Sequence, residues 1–381
     1  MFLDIRHEHT SFVDGMKAVD WFGILTFLGF TSMILLGLNF GGTLFPWDST
    51  KVIVLLVVGA LMVVAFVYSE ARVAKYPLIP MALFKLKTNV AAFALVFFHG
   101  FVSRFSPSFQ FRELIKQVFI AAEYYMPLYF QSVLGASPLR SGLLLLPFIV
   151  TGAIFGVASG VWIHRTGRFR DIMWIGESNE HTWQMRHALT PYISKGTFLL
   201  TLGFGVFISF DAYTTTAKAV GFLMIGGVGS GILFEAPLIA VQSQVEQQNV
   251  ASATATLSFI RNMALAISTI VGGTIFQNSM TSRGPFLRAA GLPQELLHQL
   301  DGESALANVI LPSTLSNPAW VLAAKQAFAY AMRNMWITYT VFAFLSLVAS
   351  LFIDAAHLGT EHTETVTGLK SQKDNVVTES S

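Results

Sequence analysis

Few charged side chains interrupt the apolar runs of this 381-residue sequence, and chemistry is to be sought at those that do. An ionisable group inside a hydrophobic stretch is costly in a bilayer and rarely faces lipid. Glu123 opens the run EYYMPLYFQ. On a helix Glu123, Pro127 and Phe130 share a face, which Tyr124, Tyr125 and Tyr129 widen, and Gln131 closes the run with an amide. A carboxylate among aromatic rings suits a proton or a cationic or amphiphilic organic molecule. It also suits a plain helix-end carboxylate at the membrane interface. Glu235 stands two residues before Pro237 in a glycine-rich run, where a proline frees a backbone carbonyl and can break a helix. Glu235 therefore reads as a proton site facing a cavity, or as a structural polar contact. Arg261 lies inside ATATLSFIRNMALAI, with Asn262 adding an amide. Its charge calls for a partner, Glu235 or Glu123 on a neighbouring helix, in a structural ion pair or a substrate contact. His99, alone on an apolar face, reads as a core histidine.

The elements that must position these groups are membrane helices. The chain is 53% apolar and 12% charged, with mean hydropathy +0.58. An ordinary soluble globule carries about a quarter charged residues, and disorder needs low hydrophobicity. A net charge of +2 gives no electrostatic case for nucleic acid, and the absence of cysteine removes disulfides, thiolate metal sites and thiol catalysis. A spanning helix needs about 20 mostly apolar residues. Asp20–Phe40, Val52–Ser69, Ser141–Ile163, Ala217–Gln242, Ser252–Phe276 and Asn334–Ile353 qualify. Two further spans are broken: Asn89–Val102 resumes at Val118–Leu134, and the stub Asp171–Gly176 resumes at Thr197–Phe210. Counting each pair once predicts an all-α bundle of about eight transmembrane helices over 20–353. It is preceded by a cytoplasmic segment, 1–19, and followed by a disordered cytoplasmic tail, 354–381.

Orientation follows from lysine and arginine, which favour cytoplasmic loops. Arg6, Lys17, Arg72, Lys75, Lys85, Lys87, Arg165, Arg168 and Arg170 fall in one set of alternate loops; Lys51, Arg140 and Lys218 fall in the other. Both termini are thus expected inside, and the long loop 277–333 outside, with an amphipathic helix near 317–332. Residues 1–18 hold no apolar core of signal-peptide type.

The interruptions 103–117 (SRFSPSFQFRELIKQ) and 177–196 (ESNEHTWQMRHALTPYISKG) are polar stretches that cut helices mid-span. A charge costs roughly 2.5–3.5 kcal/mol at a helix centre. Both read as introns retained in frame: Val102-Ser103 can be coded GTG-AGT, Gly176-Glu177-Ser178 can be coded GGT-GAG-TC, and each contains a donor signal. The other reading is two genuine polar loops.

Gly152, Gly156 and Gly160 repeat every four residues, as do Gly227 and Gly231, beside Gly226 and Gly229. Small residues on one face let helices approach closely. Such seams are packing surfaces, or surfaces that slide during alternating access.

The run EYYMPLYFQSVLGASPLRSGLLLLP, then GVWIHRTGRFR, then LFEAPLIAVQSQV and ATATLSFIRNMALAI, resembles the major facilitator superfamily, and within it the fungal fourteen-helix drug:proton antiporters. The opening FLDIRHEHT…AVDWFG resembles the segment after that family's sixth helix. The resemblance covers nearly the whole chain except the two interruptions and the tail, and matches helices seven to fourteen, without the first six. It implies proton-coupled efflux of drugs, toxins or secondary metabolites by alternating access. The implied partners are a small organic substrate, protons, the bilayer and a missing N-terminal half, with no cofactor. The implied location is the plasma membrane. Gly160, Arg165, Gly167, Arg168 and Arg170 match the family's gating loop, while His164 stands where its stronger copy has Asp. The other class of reading is that the chain transports nothing, being a truncated or mis-spliced fragment. No P-loop, H-E-x-x-H or paired-cysteine motif occurs, so neither ATP-driven transport nor intramembrane metalloprotease chemistry is indicated.

Overall fold

The computed structural model describes residues 19–42, 44–74, 77–102, 120–166, 190–233, 236–242, 245 and 249–353. Helix α1 (Trp21–Phe40) starts where Asp20 Oδ1 accepts from the Gly23 amide at 2.8 Å, satisfying one of the orphan donors of a helix start. Helix α2 (Thr50–Tyr68) is capped the same way by Ser49 and ends in a π-helical turn, Ser69–Val73. The two form an antiparallel hairpin whose glycines admit side chains: Gly29 faces Met62, Gly37 faces Leu56 and Gly59 faces Ile34. The outer faces carry Phe22, Leu25, Leu28, Val54, Val57, Leu61 and Val64, all exposed. Large apolar side chains this densely exposed need lipid around them.

Helices α3 (Lys87–Val102), α4 (Ile120–Ser132), α5 (Pro138–Thr166), α6 (Thr190–Phe207), α7 (Thr216–Ile232), α8 (Ala236–Gln242) and α9 (Val250–Ser282) follow. Four short helices, α10 (Gly284–Ala289), α11 (Gln294–Gln299), α12 (Gly302–Ala307) and α13 (Leu311–Thr314), lead to α14 (Pro318–Ser350). There is no β-strand among the described residues. Among the described residues five runs are long and apolar enough to cross a membrane: Trp21–Phe40, Thr50–Val73, Pro138–Val161, Thr216–Gln242 and Val250–Ala289. The fold is an all-α polytopic membrane bundle.

Helix α7 packs between α5 and α6, α14 packs on α6 and α3, and α9 packs on both α3 and α14. The α1–α2 hairpin joins this body through Phe27 and Phe30, whose rings lie 4.3 and 6.2 Å from that of Phe259 on α9.

The stretch 277–333 is helical rather than an open loop. Helix α9 runs on to Ser282, and the short helices bury Leu287, Leu292, Leu297, Leu300 and Val309 in the main core. Asn317 caps α14 through the Ala319 amide and Pro318 pre-sets its first turn, so the amphipathic segment and the final span are one 33-residue helix. At 1.5 Å per residue it is about 50 Å long, well beyond a hydrocarbon core of about 30 Å. The expected interruption 103–117 lies outside the described residues. Of 177–196, residues 190–196 form the first turns of α6.

Candidate functional site

Polar groups converge inside the bundle at the middle of α9. The Tyr125 hydroxyl on α4 donates to the Thr269 carbonyl at 2.8 Å, and the Tyr339 hydroxyl on α14 donates to the Ser268 carbonyl at 3.0 Å. Ser268 Oγ donates to the carbonyl of Phe101, in the last turn of α3, where helix carbonyls lack intrahelical partners. Four helices thus meet around two consecutive residues. The approach requires glycine at 272: a Cβ there would collide with the Tyr339 hydroxyl and lie 2.9 Å from the Tyr125 ring and hydroxyl. Each buried hydroxyl is hydrogen-bonded, which removes the cost of placing it in an apolar interior.

Aromatic rings extend this centre. Tyr129 stacks on Phe210 at 5.2 Å and donates to the Asp211 carbonyl at 2.7 Å. Phe207 stacks on Phe210 and meets Trp336, which is fully buried beside Tyr339.

The residues expected to carry chemistry separate into groups. On α4 the buried face is Tyr125, Met126, Tyr129, Phe130 and Ser132, while Tyr124 is 50% exposed and meets Tyr125 edge-on. Gln131 ties α4 to α5 by donating to Ser141 Oγ at 3.2 Å. Arg261 is 5% exposed where α9 and α3 approach closest: a Cβ on Gly100 would sit 3.0 Å from the Arg261 carbonyl. Arg261 is eight residues before Thr269, about 12 Å along α9. His99, buried, lies within electrostatic reach of it. Asn262 is on the exposed side of α9. Glu123 lies in the first turn of α4, with its side chain outside the described residues; Glu235 lies outside them altogether. The pairing of Arg261 with either carboxylate is therefore untouched by the structure. In the expected gating loop, Gly160 is on α5 and Arg165 is in its last turn, the latter's side chain outside the described residues. Gly167, Arg168 and Arg170 also lie outside them.

The glycine spacings meet as seams. Gly231 of α7 lies against the backbone of Gly152 and Gly156 on α5, and Gly227 lies against Phe148 and Thr151. On its other side α7 meets α6, with Gly226 against Gly203, and Gly229 against Leu199 and Leu200. Helix α7 thus touches both neighbours backbone to backbone. A groove of about 300 Å³ runs along α6, lined by Phe198, Thr201, Leu202, Gly205 and Val206. None of the expected pathway residues lines it.

Tyr339, Ser268 and Trp336 were not singled out by sequence. Asn334 and Tyr339 sit in the apolar half of α14, and Asn334 donates to Ser279 Oγ at 3.1 Å. A search for polar residues within apolar runs, extended from charges to hydroxyls and amides, finds them. Among the described residues no three His, Cys, Asp or Glu side chains cluster as metal ligands do.

Residues 2–106 match the family described as fungal trichothecene efflux pump (TRI12). Across 98% of the chain the sequence is 36% identical to the efflux pump dotC of Dothistroma septosporum, covering 57% of that protein. It is 37% identical to the MFS-type transporter ppz2 of Metarhizium majus over 98% of the chain and 58% of that protein. It is 28% identical to the efflux pump FUS6 of Gibberella fujikuroi over 97% of the chain and 60% of that protein. The chain thus spans less than two thirds of the length of these relatives. Along nearly its whole length the chain, an all-helical membrane bundle, is thus similar to fungal proteins named as efflux pumps and MFS-type transporters.

Proposed function

We propose that this protein takes part in proton-coupled efflux of small organic molecules by alternating access. The observation that carries the reading is the match of 98% of the chain to proteins named as efflux pumps and transporters. The backbone-close seams on both sides of α7 support it, because surfaces without bulky side chains let helices shift against each other. In this reading Glu123 and Glu235 carry the proton, and Tyr124, Tyr125, Tyr129, Gln131, Arg261 and Asn262 serve the substrate path. Gly160, Arg165, Gly167, Arg168 and Arg170 form a cytoplasmic gating loop. The bundle 20–353 sits in the plasma membrane with both termini in the cytoplasm.

Protonating a carboxylate held among aromatic rings removes a charge that is costly in a low-dielectric site, and so changes the relative stability of inward- and outward-facing states. Tyr125 and Tyr129 are tied to α9 and to the loop after α6. Exposing them to a substrate means breaking those bonds, which makes them part of a closed state that opens on the proton signal. Replacing Glu123 and Glu235 by Gln tests the assignment. The expected result is loss of proton-dependent efflux with the protein still folded and inserted; efflux that survives both replacements removes the pair from the mechanism.

A further inference from the structure

The α1–α2 hairpin brings the start of its first helix and the end of its second to one membrane face, and two carboxyl groups meet there. Asp20 caps α1 through Oδ1, and its Oδ2 is shielded from solvent. Glu70 lies in the π-helical turn after α2 and is 5% exposed. Its Oε2 accepts from the Ile79 amide at 2.9 Å, in the connection to α3, and its Oε1 is shielded too. Among the described residues no donor reaches Asp20 Oδ2 or Glu70 Oε1. Both oxygens point at Gly23: a Cβ there would strike Asp20 Oδ2 and lie 3.1 Å from Glu70 Oε1. The two carboxyl groups are within hydrogen-bonding reach of each other.

Neighbouring carboxylates withdrawn from water do not both ionise. A buried acceptor without a donor also costs free energy, about 1–3 kcal/mol and more when charged. A single proton between the two oxygens removes one charge and gives both a short, charge-assisted O–H···O bond. Among the described residues no cation acts on Glu70. The amides of Leu78 and Ile79 face Glu70 from the connecting loop. Arg72 on the same turn, and Lys85 and Lys87 ahead of and at the start of α3, are exposed. Helix α9, packed against α1, brings Phe259 and Met263 to the hairpin. Lys17 and Lys75 lie outside the described residues.

We propose that Asp20 and Glu70 form one proton-binding site, which holds a single shared proton and ties the start of α1 to the loop entering α3. With the proton bound, the loop is anchored through Glu70 Oε2 and the hairpin through Asp20. Without it, two like charges face each other and the anchor loosens. While the shared proton is bound the folded chain holds one proton more than the unfolded chain, so stability falls as pH rises and the site empties.

The test is infrared spectroscopy of the purified full chain in detergent, with thermal unfolding followed against pH. Glu70→Gln and Asp20→Asn each replace one partner by an amide that donates to the other, and Asn keeps the helix cap. The expected result is a protonated-carboxyl absorption in the wild type that disappears in each variant, and a fall in unfolding temperature with rising pH that each variant flattens. If one variant does not fold, the other reads the same proton. An absorption unchanged in the folded variant overturns the proposal. So does a wild type whose stability follows added sodium or calcium while showing no such band, since a bridging cation then sits between two carboxylates. Neither readout depends on transport.

Discussion

The Tyr125 hydroxyl donates to the carbonyl of Thr269 at 2.8 Å, one residue beyond the serine whose hydroxyl holds the Phe101 carbonyl. Tyr125 is on α4 and Phe101 ends α3, so both segments of the broken span are fastened to adjacent residues of α9. Helices α3 and α4 each pack on α9 and α14. One long helix, α9, therefore acts as the common rail for two short ones.

Tyr125→Phe removes that hydrogen bond while keeping the ring. The expected loss is about 1 kcal/mol, seen as a small drop in thermal unfolding temperature in detergent. Gly272→Ala places a methyl group where the Tyr339 hydroxyl and the Tyr125 ring converge. Overpacking of this kind costs about 1–3 kcal/mol, so Gly272→Ala should be the more damaging of the two.

The α5–α7 seam predicts opposite effects for one substitution at two glycines of the same helix. Gly221 of α7 has open space where a Cβ would lie, so Gly221→Ala should gain up to about 1 kcal/mol in helix propensity. Gly231→Ala drives a Cβ into the Gly152 carbonyl and should lose more than that gain. Unfolding midpoints of the two variants, measured side by side, check the sign of each.

Arg283, at the end of α9, holds its guanidinium 3.6 Å from the centre of the Tyr330 ring on α14. This contact pins the end of α9, where the short-helix segment begins, to α14. Tyr330→Leu keeps apolar bulk and removes the ring face, with an expected cost of about 0.5–2 kcal/mol. Proteolysis within 284–317 should become faster while the membrane-embedded helices stay protected.

The glycine seams were legible because a four-residue spacing has one meaning on a helix, a narrow strip of small residues: Gly231 does meet Gly152 and Gly156, and Gly227 meets Phe148 and Thr151 on the same helix. Asp20–Phe40, Val52–Ser69, Ser141–Ile163, Ala217–Gln242 and Ser252–Phe276 were legible from hydropathy and each falls on a run able to cross a membrane, and a helix does cover 317–332. Its fusion with the following span follows from the Asn317-Pro318 start signal and the lack of any break after it. What pairing alone decides was not legible. Ser268 and Phe101 are 167 residues apart, and no local pattern announces their bond. Asp20 read as the first residue of a span and Glu70 as the residue after one. Their meeting depends on the hairpin closing in register at Gly23. The α4 face differed for a simple reason: packing turned Tyr125 and Tyr129 inward and left Tyr124 outside, because the five buried side chains fall on one strip that Tyr124 does not share.

Proton-driven movement of an organic molecule is the central claim, and flux in sealed vesicles tests it most directly. The chain is reconstituted alone and together with the portion of a relative that it does not match. A quaternary ammonium dye, whose charge cannot be neutralised by pH, is followed across an imposed proton gradient. The account predicts dye accumulation that collapses when a protonophore dissipates the gradient. Absence of movement in both preparations, or movement indifferent to the gradient, contradicts it.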